Sequence, residues 1–187
     1  MALLHTPLCD FGWAAPDFAL PGVDGKTYRF ADIAGENGTL LMFISNHCPY
    51  VLAIEDRISS TAKDLAKLGI GVAAIGSNDT VNYPQDGPDG MRQQALRAGF
   101  DFPYLHDADQ SVAQAYDAVC TPDFFGFDKD GGLQYRGRLD ESGRNPAAPN
   151  AHDSKSRELY AAMKAVAETG RGPDAQTPSM GCSIKWK

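Results

Sequence analysis

The stretch Ser45-Asn46-His47-Cys48-Pro49-Tyr50-Val51 places a cysteine immediately before a proline, where an apolar run gives way to a helical pattern. A cysteine there sits at a helix N-terminus, where unsatisfied N–H groups and the positive end of the helix dipole favour thiolate over thiol and lower the sulfur's pKa. Pro49 suits the first helical turn, because its missing N–H would have had no intrahelical acceptor. The chemistry such a sulfur performs is nucleophilic attack on a disulfide or another oxidised sulfur. A second cysteine three residues on would complete a Cys-x-x-Cys pair, but that place holds Val51, so Cys48 closes no local disulfide. The opposing reading is a small hydrophobe packed at a strand end. The strand, Cys-Pro, helix context favours the functional thiol.

Three other cysteines exist: Cys9, Cys120 and Cys182. Cys120 directly precedes Thr121-Pro122, a candidate cis peptide bond between a helical segment and a strand. Cys182 lies in the C-terminal Gly-Cys-Ser-Ile-Lys-Trp, where Cys182, Ile184 and Trp186 alternate with polar residues, as in an extended segment laid against a surface with those three facing inward. Either thiol is a candidate partner for Cys48; Cys9 is assigned no role. His47 adjoins Cys48, but neighbours at a strand end point to opposite sides, so a spacer role or a backbone contact is expected of it. Arg138 reads as a solvated strand-end charge, with binding of an anionic substrate group as the alternative. No Cys-x-x-Cys or His-x-x-x-His ligand spacing occurs, so no metal and no cofactor is expected.

The elements that must position these residues follow from periodicity. Asp17 to Phe30 reads as a hairpin around Asp24-Gly25. Thr39 to Asn46 is nearly continuous in apolar residues, as in a strand buried on both faces. From Pro49 to Leu68 a helical period appears, with Val51, Ile54, Ile58 and Leu65 on one stripe and Gly69 as the stop. A second buried strand, Gly69 to Ser77, completes a parallel βαβ unit. A helix follows over Met91 to Ala98 with Asp89 as cap, then an apolar stretch at Phe102 to Asp107 and a helical piece at Ser111 to Tyr116. A hairpin pairs Asp123–Phe127 with Leu133–Arg138, and a last amphipathic helix spans Asp153 to Thr169. The expected organisation is an N-terminal segment over 1–14, one domain over 15–170 and a docked tail over 171–187.

The chain has 187 residues, 43% hydrophobic and 22% charged, with a net charge of −7. That composition fits one soluble domain, and the negative charge argues against nucleic acid or an anionic membrane surface as partner. The N-terminus makes a poor signal peptide and no apolar run is long enough to span a bilayer, so a cytoplasmic setting is expected, where any disulfide would be transient.

Several separated segments, among them "FISNHCPYV", "FPYLHDADQSVAQAYDAVCTPDFFGFDKDG", "YRGRLD" and "PSMGCSIKW", together with the opening "APDFALPGVDGKTYRFADIAG", resemble the peroxiredoxin-like, thioredoxin-fold proteins of the redoxin (alkyl hydroperoxide reductase/thiol-specific antioxidant) superfamily. The resemblance implies an α/β thioredoxin-like fold with an N-terminal β-hairpin extension and a central mixed sheet flanked by helices. It implies that Cys48 is the nucleophilic thiol and that Thr121-Pro122 is the cis-proline loop facing it, with Pro49 and Tyr50 beside the substrate. A peroxiredoxin has its peroxidatic cysteine where Val51 stands, and Leu41 and Ile44 occupy the places of its Pro and Thr/Ser. The peroxide-cradling motif is therefore absent. The expected function is a thiol-disulfide oxidoreductase acting on a protein or low-molecular-weight disulfide, with Cys120, Cys182 or an external thiol resolving Cys48. The alternatives are a thioredoxin-fold binding module without turnover and a weak peroxidase.

Overall fold

The computed structural model describes residues 3–142 and 157–187. In chain order the strands are β1 (Leu3–His5), β2 (Ala19–Pro21), β3 (Thr27–Arg29), β4 (Gly38–Phe43), β5 (Ile70–Gly76), β6 (Tyr104–His106), β7 (Cys120–Thr121), β8 (Asp123–Phe127), β9 (Leu133–Tyr135) and β10 (Met180–Ser183). The helices are α1 (Phe30–Ile33), α2 (Pro49–Leu52), α3 (Glu55–Ala66), α4 (Pro88–Ala98), α5 (Ser111–Ala115) and α6 (Glu158–Thr169), with a 3-10 turn at Pro84–Asp86.

The central sheet has the order β6-β5-β4-β8-β9. Its β4–β5 and β5–β6 pairs are parallel, while β8 pairs antiparallel with β4 and the edge strand β9 pairs antiparallel with β8. Alternation along β4 divides the core. Leu40 and Met42 face one side with Ile58 and Leu65 of α3 and Leu159 and Met163 of α6. Leu41 and Phe43 face the other, with Phe125, Phe127 and Tyr116. Every residue of β4 is buried, which is why its sequence shows no polar alternation.

Two further sheets flank this one. β2 and β3 form the N-terminal hairpin, turning at Gly25 with φ 85°. The sheet that matters for the site has the order β1-β10-β7, so the C-terminal strand lies between the N-terminal strand and the short strand that precedes Pro122.

Four expectations require correction. The helix expected over Pro49 to Leu68 is two helices: Ala53 and Ile54 interrupt it, Ile54 adopting φ −131° and ψ 4°. Val51, Ile54, Ile58 and Leu65 are nonetheless all buried, so the apolar stripe survives a break that turns no residue outward. The second strand of the last hairpin ends at Tyr135, because the Arg136 N–H leaves the ladder for the Gln176 side-chain oxygen at 2.8 Å. Trp186 is 45% exposed, since β10 stops at Ser183, whereas Cys182 and Ile184 do face inward. Gly87, not Asp89, caps α4, with Pro88 at its first position and Gly99 ending it at φ 68°. Residues 153–156 of the expected last helix lie outside the described residues.

Candidate active site

β4 and the four residues after it carry the chain to Cys48, which is the N-cap of α2. Its carbonyl accepts hydrogen bonds from Val51 N at 3.0 Å and Leu52 N at 2.9 Å. The sulfur behaves otherwise than expected: it makes no capping hydrogen bond to α2, and it donates to the Thr121 carbonyl oxygen at 3.1 Å. Because α2 is one turn long, few peptide dipoles align behind the sulfur. Cys48 is also completely buried, at 0% exposure, as is Val51 beneath it. The four cysteines are all thiols.

The Thr121–Pro122 peptide bond is cis. Together β7 and Pro122 present the Thr121 carbonyl to Cys48 and place Cys120 in the same neighbourhood. The Cys120 Sγ points to the Pro122 carbonyl, 3.7 Å away. Burial and the adjacent Asp123 carboxylate push the Cys120 thiol far up, and proximity to Cys48 adds to the effect. Asp123 itself is buried, raised to about 6 by desolvation against the pull of Arg136, whose Nη2 lies 3.1 Å from it. Arg136 also stacks its guanidinium over Phe125, 4.4 Å from the ring centre.

β10 closes the site. Cys182 lies directly opposite Thr121 in the antiparallel ladder and Ser183 opposite Cys120. Gly181 is obligatory for this approach, because a Cβ there would sit 2.0 Å from the Thr121 carbonyl oxygen. At one end of the strand Ser179 donates its hydroxyl to Pro122 O at 2.8 Å. At the other, Lys185 N donates to Asn78 Oδ1 at 2.8 Å, and Gln110 Nε2 donates to Lys185 O at the same distance.

His47 is neither a spacer nor confined to backbone contact. Its Nδ1 makes a short contact with Asp86 Oδ2, its backbone N–H donates to Asp86 Oδ1, and its ring stacks on Tyr83 at 5.1 Å. Asp86 is buried and also accepts from Ser45 Oγ at 3.0 Å and Asn78 Nδ2 at 2.8 Å. One carboxylate thus ties the segment before Cys48 to Asn78, which holds the tail. Sequence reasoning missed Asp86, Asn78 and Gln110; the only signal was polar residues in loops between buried strands.

Beside Pro122 opens a cavity of about 380 Å³ whose walls include Tyr50, Ile54, Pro122, Phe124, Leu139 and Pro178. Pro49, the first residue of α2, and Tyr50 lie on the stretch between Cys48 and this cavity. Arg138 lines the cavity as well, but it is not a solvated charge: its Nη2 and Nε grip Glu158 at 2.6 and 2.8 Å. Arg57 and Asp140 form a second, buried ion pair in the wall at 2.9 Å. Cys9 is half-buried and remote in role; burial pushes its thiol up to about 11. Among the described residues no group of three or more His, Cys, Asp or Glu side chains is placed to hold a metal ion. Nor, among them, is any helix long and apolar enough to cross a membrane.

Residues 11–136 match the model of the AhpC/TSA family. No match was found among the curated proteins. Among solved structures, an uncharacterized conserved protein from Geobacillus kaustophilus is 43% identical with a TM-score of 0.91, over 100% of this chain and 97% of that one. A hypothetical protein from Sinorhizobium meliloti 1021 is 37% identical with a TM-score of 0.88, over 98% and 97%. A peroxidoxin from Mycobacterium tuberculosis is 18% identical with a TM-score of 0.60, over 87% and 98%, a likeness of fold. The architecture is thioredoxin-like: a central mixed sheet flanked by helices.

Proposed function

The chain belongs to the AhpC/TSA family, and from that premise we propose that it is a thiol-disulfide oxidoreductase with Cys48 as its nucleophile. Family membership supports a redox role on the thioredoxin fold. The observation that carries the finer reading is the 3.1 Å contact of Cys48 Sγ with the Thr121 carbonyl, beside Pro122 and an apolar cavity. In the reaction the Cys48 thiol loses its proton and the thiolate attacks one sulfur of a substrate disulfide. A Cys48–substrate disulfide forms, the substrate's own S–S bond breaks, and the leaving thiolate takes up a proton. A second thiol then releases the remaining half as a thiol. Tyr50, Thr121 and Pro122 flank the approach, and the cavity beside Tyr50 and Pro122 accommodates apolar substrate surface. The peroxide-cradling residues are replaced by Leu41 and Ile44, both buried apolar side chains in or just after β4. A peroxidase by the peroxiredoxin route is therefore the weaker account.

The burial of Cys48 favours one rival, a binding module in which the thiol is only a packed hydrogen-bond donor. A neutral aromatic disulfide such as 4,4′-dithiodipyridine separates the two. The oxidoreductase releases thiopyridone with Cys48 as the modified residue, in the absence of any added thiol, and loses that release in Cys48→Ser. Identical release by the wild type and Cys48→Ser would leave the binding module.

A further inference from the structure

We propose that Cys182, and not Cys120, is the thiol that closes on Cys48, carried there by the C-terminal strand β10. This deepens the oxidoreductase reading and rests on it.

Thr121 stands between the two cysteines. Directly opposed residues of an antiparallel ladder have Cα atoms roughly 4.5–5.5 Å apart. Cys182 stands in that relation to Thr121, and the carbonyl of Thr121 holds Cys48 Sγ at 3.1 Å. Bridging two cysteines needs Cα atoms within about 7 Å, so β10 must bring Cys182 within that range of Cys48. Cys48 and Cys182 belong to the same buried core, and α2, which Cys48 caps, packs against β10.

Cys120 is disfavoured by direction and by charge. It is one residue out of register with Cys182, so the two side chains leave opposite faces of the β7–β10 pair. Its sulfur is turned to the Pro122 carbonyl beside buried Asp123, whose carboxylate opposes a second negative charge. Nor can Cys120 move by itself, since β7 runs straight into Pro122 and β8.

With β1 paired along its other edge, β10 moves against β7 together with β1. Its residue next to Cys182 is Gly181, which offers no side chain to catch on Thr121. Polar clamps hold it at both ends, Ser179 to Pro122 and Lys185 to Asn78 and Gln110, while Cys182 between them is only 4% exposed. Moving β10 off β7 uncovers the β7 edge beside Cys48, and the strand's return sets Cys182 opposite Thr121 again.

In the step itself the Cys182 thiolate attacks the Cys48 sulfur of the Cys48–substrate disulfide. The Cys48–Cys182 S–S bond forms, the bond to the substrate breaks, and the departing thiolate is protonated. Over both steps one substrate disulfide gains two electrons and two protons to become two thiols, and the protein's two thiols become one disulfide. An external dithiol returns the protein to its starting state.

The test is peptide-level disulfide mapping of acid-quenched protein after reaction with a stoichiometric amount of 4,4′-dithiodipyridine. Wild type and Cys120→Ser are expected to give a Cys48–Cys182 link and about two thiopyridones per chain. Cys182→Ser is expected to stop at about one, with a persistent Cys48 adduct. A Cys48–Cys120 link, or a Cys48 adduct equally persistent in wild type, overturns the assignment while leaving Cys48 as nucleophile. If Cys48 carries neither an adduct nor a disulfide, the oxidoreductase reading falls as well. The wild-type map decides the matter even if a variant folds poorly.

Discussion

Substituting Gly181 by alanine tests whether β10 controls access to Cys48. A Cβ at this position would meet the Thr121 carbonyl oxygen at 2.0 Å and its carbon at 2.6 Å. Both are backbone atoms of a strand fixed by Pro122 and β8, so the strain falls on β10. Overpacking of this kind costs about 1–3 kcal/mol, which raises the population of the detached strand about 5- to 140-fold. Where reclosing is fast, the chemistry of a covered group follows that population. Iodoacetamide should therefore alkylate Cys48 about 5- to 140-fold faster in Gly181→Ala than in wild type, measured peptide by peptide. A urea series gives the second criterion. Detaching a four-residue strand exposes little surface, so at low urea the Cys48 rate should be nearly flat. An unchanged rate in Gly181→Ala would refute the argument. So would a wild-type rate that climbs with the full urea dependence of global unfolding, because Cys48 would then be reached only through the unfolded chain.

Two further expectations concern buried charge. Arg136→Ala strands Asp123, which is 0% exposed, and should lower the stability of the protein by about 3–5 kcal/mol in urea denaturation; replacing both residues by leucine should recover most of the loss. His106 is held below its ordinary value of 6.5 chiefly by burial, and its Nε2 has no hydrogen-bond partner among the described residues. A folded-state value below the unfolded one means that the unfolded chain binds the proton more readily. The stability contributed by neutral His106 is therefore complete above pH 6.5 and is lost as the pH falls from there through the lower folded value. Urea midpoints measured from about pH 8 to about pH 5 should show this decline, and His106→Asn should flatten it.

Much of this molecule is written locally. The continuous apolar run of β4, the helical stripe from Val51 to Leu65, the αL glycine that ends α4 and the hairpin at Gly25 each follow from side-chain size, period and backbone freedom within a few residues. Cys48 could be singled out for the same reason: a cysteine before a proline at the junction of strand and helix is a local pattern. The absence of a second cysteine at Val51 is likewise plain from the sequence.

What the sequence alone could not decide depends on contacts between distant segments. That the helix after Cys48 breaks at Ile54 escaped a periodicity argument, because the same side chains stay buried on either side of the break. That His47 faces Asp86 depends on a residue 39 positions away, in a 3-10 turn too short to show a periodicity. The covering of Cys48 is the most consequential case. It requires β10 to lie between β1 and β7, joining the two ends of the chain to the strand before Pro122. The register that sets Cys182 against Thr121 is fixed by backbone hydrogen bonding and by the close approach allowed at Gly181. Local side-chain chemistry could nominate the thiols; only the pairing of strands remote in sequence determines which of them meet, and how deeply they are buried.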